Sequence, residues 1–302
     1  MTKRNGLPRL GWRVEGDVLK TELFPLVDLQ RYVCQQLSLV SETPILDAQV
    51  LLGRVFEKSR AWVLAHPEAI LSPVQEASLQ AYLDQLRSGI PLPYVLGEWE
   101  FYDLTFSLTS QVLIPRPETE LLVDQALKWL ASARPNRLAC DVGTGSGCIA
   151  VTLAAHQPDL HLLAIDISLP ALQTAAANAE RHKVSSQIDF LQNDLTKGIG
   201  GHFDLICANL PYIPSARLRS LPVYGREPGL ALDGGPDGLD LIRRLLSHAP
   251  GNLTPGGLLL MEIEATQGEA VLELARQTFP NSRPMVLTDL AGMDRLLVVE
   301  DE

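Results

Sequence analysis

The sequence has no excess of basic charge: 25 Lys and Arg stand against 36 Asp and Glu, for a net charge of −11. Broad, phosphate-driven binding of nucleic acid needs clustered Lys and Arg. Nucleic acid is therefore not expected as a direct substrate, although net charge does not exclude a local basic patch. No apolar run approaches the ~20 residues that cross a bilayer. The opening stretch MTKRNGLPRLGWRVEGD lacks the apolar segment of a secretory signal. The four cysteines, Cys34, Cys140, Cys148 and Cys207, show no C-x-x-C spacing, which indicates neither a disulfide framework nor a metal site. Three of them fall on or beside expected core strands, where a free thiol behaves as a small hydrophobe. Aromatics are scarce at 6%, and there are no internal repeats or low-complexity tracts. The remainder is a chain of 302 residues, long enough for two domains. A cytoplasmic, monomeric α/β protein with no membrane segment is expected.

Residues 1–24 show little periodicity and read as an N-terminal tail. Residues 25–90 are helical in pattern. Leu26, Leu29, Val33 and Leu37 repeat at helical spacing. Thr43-Pro44 opens a second helix with Leu46, Val50, Leu51 and Val55 on one face. Ser72-Pro73-Val74-Gln75 has the form of a capping box, followed by a stripe of Leu79, Tyr82, Leu83 and Leu86. These stripes read as the core of a small helical bundle, with a partner-binding groove as the alternative. Over 91–114 the character changes. Pro91 and Pro93 end the helix, and Phe101, Leu104, Phe106 and Leu108 alternate as in a strand. A turn at Ser110 before Val112-Leu113-Ile114 would complete a β-hairpin linker.

In residues 115–302 a helix from Pro115–Glu120 to about Leu130 precedes a regular alternation. Strands are expected at Leu138–Val142, Leu162–Ile165, Ile188–Leu191, Phe203–Ala208 and Leu258–Ile263, and near 284–288 and 294–300, with helices between the earlier ones. This is a Rossmann-like doubly wound sheet, mostly parallel with an antiparallel late strand. Its organising stretch is Arg137–Ala150, RLACDVGTGSGCIA. Gly143, Gly145 and Gly147 let the backbone turn sharply and approach a ligand, and the next helix presents its free N–H groups there. Asp141 is expected to aim a carboxylate at the ligand's edge. Such a glycine cluster can be a plain turn, but its strand-to-helix setting points to a nucleotide-like cofactor.

Asp141, Asp166, Asp194 and Asn209 all fall at expected strand ends, where ligands of such sheets bind. Asp166 lies about twenty residues past the glycine turn, where a carboxylate can accept both ribose hydroxyls. The glycine spacing, the preceding acid and Asn209-Leu210-Pro211-Tyr212 after the fourth strand lean away from NAD. That last segment suits methylation of an amide or aniline-like nitrogen, whose lone pair is delocalised. The Asn209 side-chain oxygen and the Leu210 carbonyl could accept its two hydrogens. Pro211 restrains Leu210, and Tyr212 offers a flat face. A proline-containing turn capping the strand is the alternative.

The chain resembles the release factor glutamine methyltransferases, the HemK or PrmC family, from about residue 25 onward. The resemblance is carried by Gly89–Tyr94, Leu113–Glu120, Asp141–Gly147, Asn209–Tyr212 and Glu227–Leu239. It implies a class I fold dependent on S-adenosylmethionine (SAM), and methylation of the glutamine amide in the Gly-Gly-Gln motif of peptide chain release factors. It further implies that Gly143, Thr144, Gly145, Ser146 and Gly147 border the methionine portion of SAM, that Asp166 holds the ribose, and that Asp194 and Leu195 lie by the adenine. Asn209 through Tyr212 would grip the glutamine, and the helical domain would dock the release factor. The family usually reads Asn-Pro-Pro-Tyr where this chain has Leu210. Asn-Leu-Pro-Tyr is at home in rRNA adenine dimethyltransferases, so an adenine N6-methyltransferase acting on RNA or DNA is the alternative. A SAM-binding adaptor without catalysis is a third reading. Glu227–Leu239 reads either as a glycine-rich structural lid or as a substrate contact.

Overall fold

A computed structural model describes residues 24–38, 41, 43–132 and 136–301, and its contacts divide the chain between Leu96 and Gly97. Of the tail expected over 1–24, all but Phe24 lies outside the described residues. The first unit is helical, with α1 (Leu26–Leu37), α2 (Pro44–Phe56), α3 (Arg60–Ala65), α4 (Pro73–Arg87) and α5 (Leu92–Leu96). α1 buries Leu26, Leu29, Val33 and Leu37, as their spacing predicts. In α2 the buried face is Ala48, Leu51, Leu52 and Val55, while Leu46 is exposed. The run Val50-Leu51-Leu52 leaves the phase of that stripe ambiguous, and small Ala48 decides it. The capping box of α4 is present: Ser72 Oγ accepts from Gln75 N, and Gln75 Oε1 accepts from Ser72 N. Pro91 and Pro93 do not end a helix, as expected, but begin α5, where a missing N–H in the first turn costs nothing.

The second unit begins with a hairpin of β1 (Glu98–Phe101) and β2 (Leu104–Ser107). Its turn is Tyr102-Asp103, both in the left-handed region at φ 50° and 58°, the two-residue arrangement that matches strand twist. The expected turn at Ser110 is present, with Val112 N donating to the Thr109 carbonyl at 3.2 Å, but no strand over 112–114 follows it and the hairpin closes earlier. The usual glycine or asparagine signal is missing from Tyr102-Asp103, so alternation alone put the turn too late.

There follow α6 (Glu120–Leu130), β3 (Leu138–Val142), α7 (Cys148–His156), β4 (His161–Asp166), α8 (Leu169–Arg181), β5 (Ile188–Gln192) and β6 (Phe203–Ala208). The chain finishes with α9 (Ser215–Leu218), α10 (Asp240–His248), β7 (Leu253–Glu262), α11 (Gly268–Thr278), β8 (Met285–Thr288) and β9 (Asp294–Glu300). Among the described residues the sheet order is β5-β4-β3-β6-β7-β9-β8, with β9 antiparallel to both neighbours and the others parallel. The expected doubly wound sheet is therefore present, antiparallel late strand included. β7 starts earlier than the expected Leu258, and Pro255-Gly256-Gly257 lies within it. There the register to β6 shifts and Gly256 N donates to the Asp301 carbonyl at 2.8 Å.

Alternate residues of the central strands enter two cores. Leu205, Cys207, Leu258 and Leu260 pack with apolar residues of α6, α7 and α8. Ile206, Ala208, Leu259 and Met261 pack with those of α10 and α11. Cover on both faces is why these strands read as nearly continuous apolar runs. The chain builds outward from β3 to β5, then returns to the other side of β3 with β6. That reversal opens a crevice at the carboxyl ends of β3 and β6.

Asn178, fully buried on α8, ties the hairpin to this crevice. Its Oδ1 accepts from Ser107 N at 2.8 Å, and its Nδ2 donates to the carbonyls of Ser107 and Ser146 at 3.0 and 2.9 Å. Asn178→Ala leaves those backbone groups short of partners and should cost about 2–4 kcal/mol in denaturant unfolding. A loss under ~0.5 kcal/mol would show that the link contributes little.

Candidate active site

The crevice is a cavity of about 1090 Å³. Its floor is the loop after β3, where Gly143, Gly145 and Gly147 all take left-handed φ, at 76°, 57° and 80°. Gly143 N and Thr144 N both donate to the Ile165 carbonyl at the end of β4, and Gly147 N donates to the Thr144 carbonyl. Only residues without a Cβ make this turn cheaply, and a Cβ on Gly143 would press to 3.0 Å from Leu210 Cδ2. Gly143, Thr144, Gly145 and Ser146 line the cavity, with Gly147 just behind.

Asp141 is fully buried and does not line the cavity. Its Oδ2 accepts from Thr144 Oγ1 at 2.6 Å and from Ala150 N at 3.2 Å, so it holds the loop from behind. An acid just before a glycine turn can serve the turn itself, and here its carboxyl is occupied by Thr144 and the first turn of α7. Burial pushes its carboxyl up to about 7.

Asp166 does line the cavity. Its oxygens accept from Gly145 N and Ser168 N, each at 2.9 Å, and each oxygen retains a second acceptor site. Burial pushes its carboxyl above the ordinary carboxylate range. Asp194 and Leu195 follow β5 on the same wall. Asp194 accepts from Arg244 at 2.6 Å, and Leu195 sits in the left-handed region at φ 52°. Asn193, which sequence reasoning passed over, donates to the carbonyls of Leu195 and Lys197 and fixes that bend.

Asn209, Leu210 and Pro211 line the cavity beyond β6. Asn209 Nδ2 donates to Thr119 Oγ1 and to Glu262 Oε2, both at 3.0 Å. Thr119 Oγ1 in turn donates to Glu262 Oε2 at 2.6 Å. Tyr212 lies outside the cavity lining, and its hydroxyl donates to Glu262 Oε1 at 3.1 Å. Burial and the Glu262 charge raise the Tyr212 phenol well above its usual range. Glu262, at the end of β7 and 2% exposed, was not singled out from sequence. Its signal was an acid inside the apolar run Leu-Leu-Leu-Met-Glu-Ile.

Two further segments close the walls. Arg116 pairs with buried Glu227, whose other oxygen accepts from Ile114 N at 3.2 Å. The 113–116 segment is thus tied to the loop that begins at Glu227. That loop packs closely on Pro211 and Tyr212, since a Cβ on Gly234 would meet the Pro211 carbonyl at 2.7 Å. Gln267 Nε2 also donates to the Tyr212 carbonyl at 2.9 Å.

The buried Asp141 gives a pH test. A carboxyl raised from its ordinary 3.8 to about 7 binds a proton more tightly folded than unfolded. Its contribution is present at low pH and is lost as pH rises between those values. Asp141→Asn does not titrate, so its melting temperature relative to the parent should rise from pH 4 to pH 8. A constant difference would show that Asp141 does not titrate in this window.

Residues 28–97 match the family model described as "PrmC N-terminal domain", and 119–219 match the "Methyltransferase small domain". A release factor glutamine methyltransferase of Moorella thermoacetica is 44% identical over 84% of this chain and 90% of its own length. One of Coxiella burnetii is 37% identical, over 91% of this chain and 99% of its own. One of Cereibacter sphaeroides is 40% identical, over 83% of this chain and 89% of its own. The fold is the class I methyltransferase fold and the chain is a methyltransferase; it belongs to the release factor glutamine methyltransferase family.

Proposed function

We propose that this chain transfers a methyl group from SAM to the side-chain amide nitrogen of the glutamine in the Gly-Gly-Gln motif of peptide chain release factors. The observation that carries the reading is that the glycine loop and the Asn209–Pro211 segment open on one cavity. Cofactor and acceptor amide would therefore meet across it.

The residues present fit SAM. Gly145 has nothing nearer than 3.9 Å to where a Cβ would stand, which leaves room for a ligand against the backbone. Gly143 through Gly147 would border the methionine portion, Asp166 would accept the ribose hydroxyls with its remaining acceptor sites, and Ile167 and Leu195 would flank the adenine beside Asp194. When bound, SAM supplies an electrophilic methyl group open to in-line displacement. The chain's own task is placement. Asn209 Oδ1 and the Leu210 carbonyl accept the two amide hydrogens, hold the nitrogen on the line of attack, and bind best when its lone pair leaves conjugation. Leu210 contributes backbone alone, because its side chain is 3% exposed and packed in the core.

The helical unit carries no group needed for this chemistry and serves to dock the release factor. Among the described residues no helix is long and apolar enough to cross a membrane, and the enzyme works beside the translation machinery in the cytoplasm. Labelled SAM offered with a release factor, its Gln→Ala version and an oligonucleotide tests the substrate. Label should enter only the intact release factor, and preferential labelling of adenine would overturn the reading.

Asp166→Ala should weaken SAM binding by ~1.5–3 kcal/mol, the range of charge-assisted hydrogen bonds. Unchanged affinity by calorimetry would remove Asp166 from the cofactor site. Asn209→Ala should lose on the order of 10²–10³ in turnover, the usual cost of removing a preorganised partner, while SAM affinity changes much less. Near-normal single-turnover rates on a release factor would sink the role given to Asn209.

A further inference from the structure

An Asn side chain is almost symmetric in outline, and a half-turn about its last torsion exchanges oxygen for NH₂. An acceptor for N–H hydrogens works only one way round. Reversed, Asn209 would set two donors against the donors of the incoming amide. We infer that Glu262 is the positioning residue of the transfer: acting with Thr119, it fixes the Asn209 amide so that oxygen faces the cavity. The inference rests on the acceptor role proposed above for Asn209.

The hydrogen bonding leaves one solution. Glu262 Oε2 receives the Thr119 hydroxyl at 2.6 Å and Asn209 Nδ2 at 3.0 Å, and Oε1 receives the Tyr212 hydroxyl at 3.1 Å. A carboxylate met by three donors acts as acceptor alone. Thr119 has a single hydroxyl proton, spent on Glu262, so toward Asn209 its oxygen can only accept, again at 3.0 Å. Both neighbours of the Asn209 amide therefore demand NH₂. A reversed amide would place its oxygen against two acceptors in a buried site, where unmatched polar groups cost most. The Asn209 NH₂ is held behind the wall by these two acceptors, and Oδ1 remains for the cavity that Asn209 lines. Thr119 ends the helical turn that enters α6 and Glu262 ends β7, so two rigid elements set the orientation.

The test compares kcat, KM for SAM and SAM affinity in the full chain, on whichever acceptor the parent methylates, a release factor or an oligonucleotide adenine. Glu262→Gln replaces one acceptor by a donor and lets Asn209 sit either way, so kcat should fall on the order of 10²-fold with SAM affinity nearly unchanged. Asn209→Asp alone crowds two carboxylates and should also be slow. In the double variant the introduced carboxylate accepts in either orientation, and the introduced amide can donate to it. The double variant should therefore turn over faster than Glu262→Gln alone, a reversal that lost packing would not produce. Losses that simply add, or a Glu262→Gln kcat equal to the parent's, would overturn the inference. Should Glu262→Gln not fold, Thr119→Val and Thr119→Ser decide. The valine, which keeps volume and loses the hydroxyl, should have a kcat about tenfold below the serine's, and equal values overturn the inference. If the parent methylates adenine and not glutamine, the functional reading fails while the Glu262 comparison stands. If it methylates neither, both fall.

Discussion

A carboxylate taken out of water costs several kcal/mol unless donors meet it, and three such carboxylates hold the walls of this cavity. Asp141 is fully buried, Glu262 is 2% exposed and Glu227 7%. Each draws together loops and the ends of strands and helices. Asp141 gathers the glycine loop and the start of α7. Glu262 gathers the entrance to α6, the turn after β6 and Tyr212. Glu227 gathers the backbone at Ile114 and the guanidinium of Arg116. Loops are ordinarily the mobile part of such a fold. Here the need to satisfy a buried charge gives them fixed positions relative to the sheet.

The same groups make the site one of placement and not of proton abstraction. Tyr212 is held protonated by burial and by the Glu262 charge beside it. Glu262 faces three donors, and burial raises its carboxyl despite them. Neither is set up to deprotonate an incoming amide. An amide nitrogen in methyl transfer needs no strong base before attack, because its proton becomes acidic only as the new bond forms. Alignment and acceptors for the N–H groups are what lower that barrier. The acceptor roles proposed for Asn209 and Leu210 require rigidity, and rigidity is what the buried carboxylates confer.

The sheet was legible in the sequence because both its faces are covered. Apolar runs at Leu138–Val142 and Phe203–Ala208, each interrupted by one aspartate, stand out from the helices between them, and both match observed strands. The strand-end residues Asp166, Asp194 and Asn209 were legible because parallel connectivity brings such positions to one edge whatever the loops do. Less could be read where the chain's direction depends on tertiary partners. The hairpin turn at Tyr102-Asp103 holds two residues in left-handed conformation without glycine or asparagine, and the Asp141 carboxyl is taken up by Thr144 and Ala150. Thr119 and Glu262 lie 143 residues apart, and no local pattern joins them. A lone acid in an apolar strand marks only that something must satisfy it.

Leu210 shows how far a departure from the usual family pattern can be absorbed by packing. Proline at this position would stiffen the backbone directly. In this chain Pro211 already biases Leu210 toward extended geometry, and the Leu210 side chain is locked in the cluster that holds Val142 and Ala208. Its Cδ2 fills the space beside Gly143 that any larger residue there would need. The leucine therefore couples the acceptor segment to the glycine loop through a side-chain contact. Burial on one side and the following ring on the other restrain this backbone, so the acceptor role proposed for the Leu210 carbonyl does not depend on a ring at position 210. The loop after β6 and the loop after β3 are consequently one packed unit, and a change in the volume of either residue would be felt on both sides of the cavity.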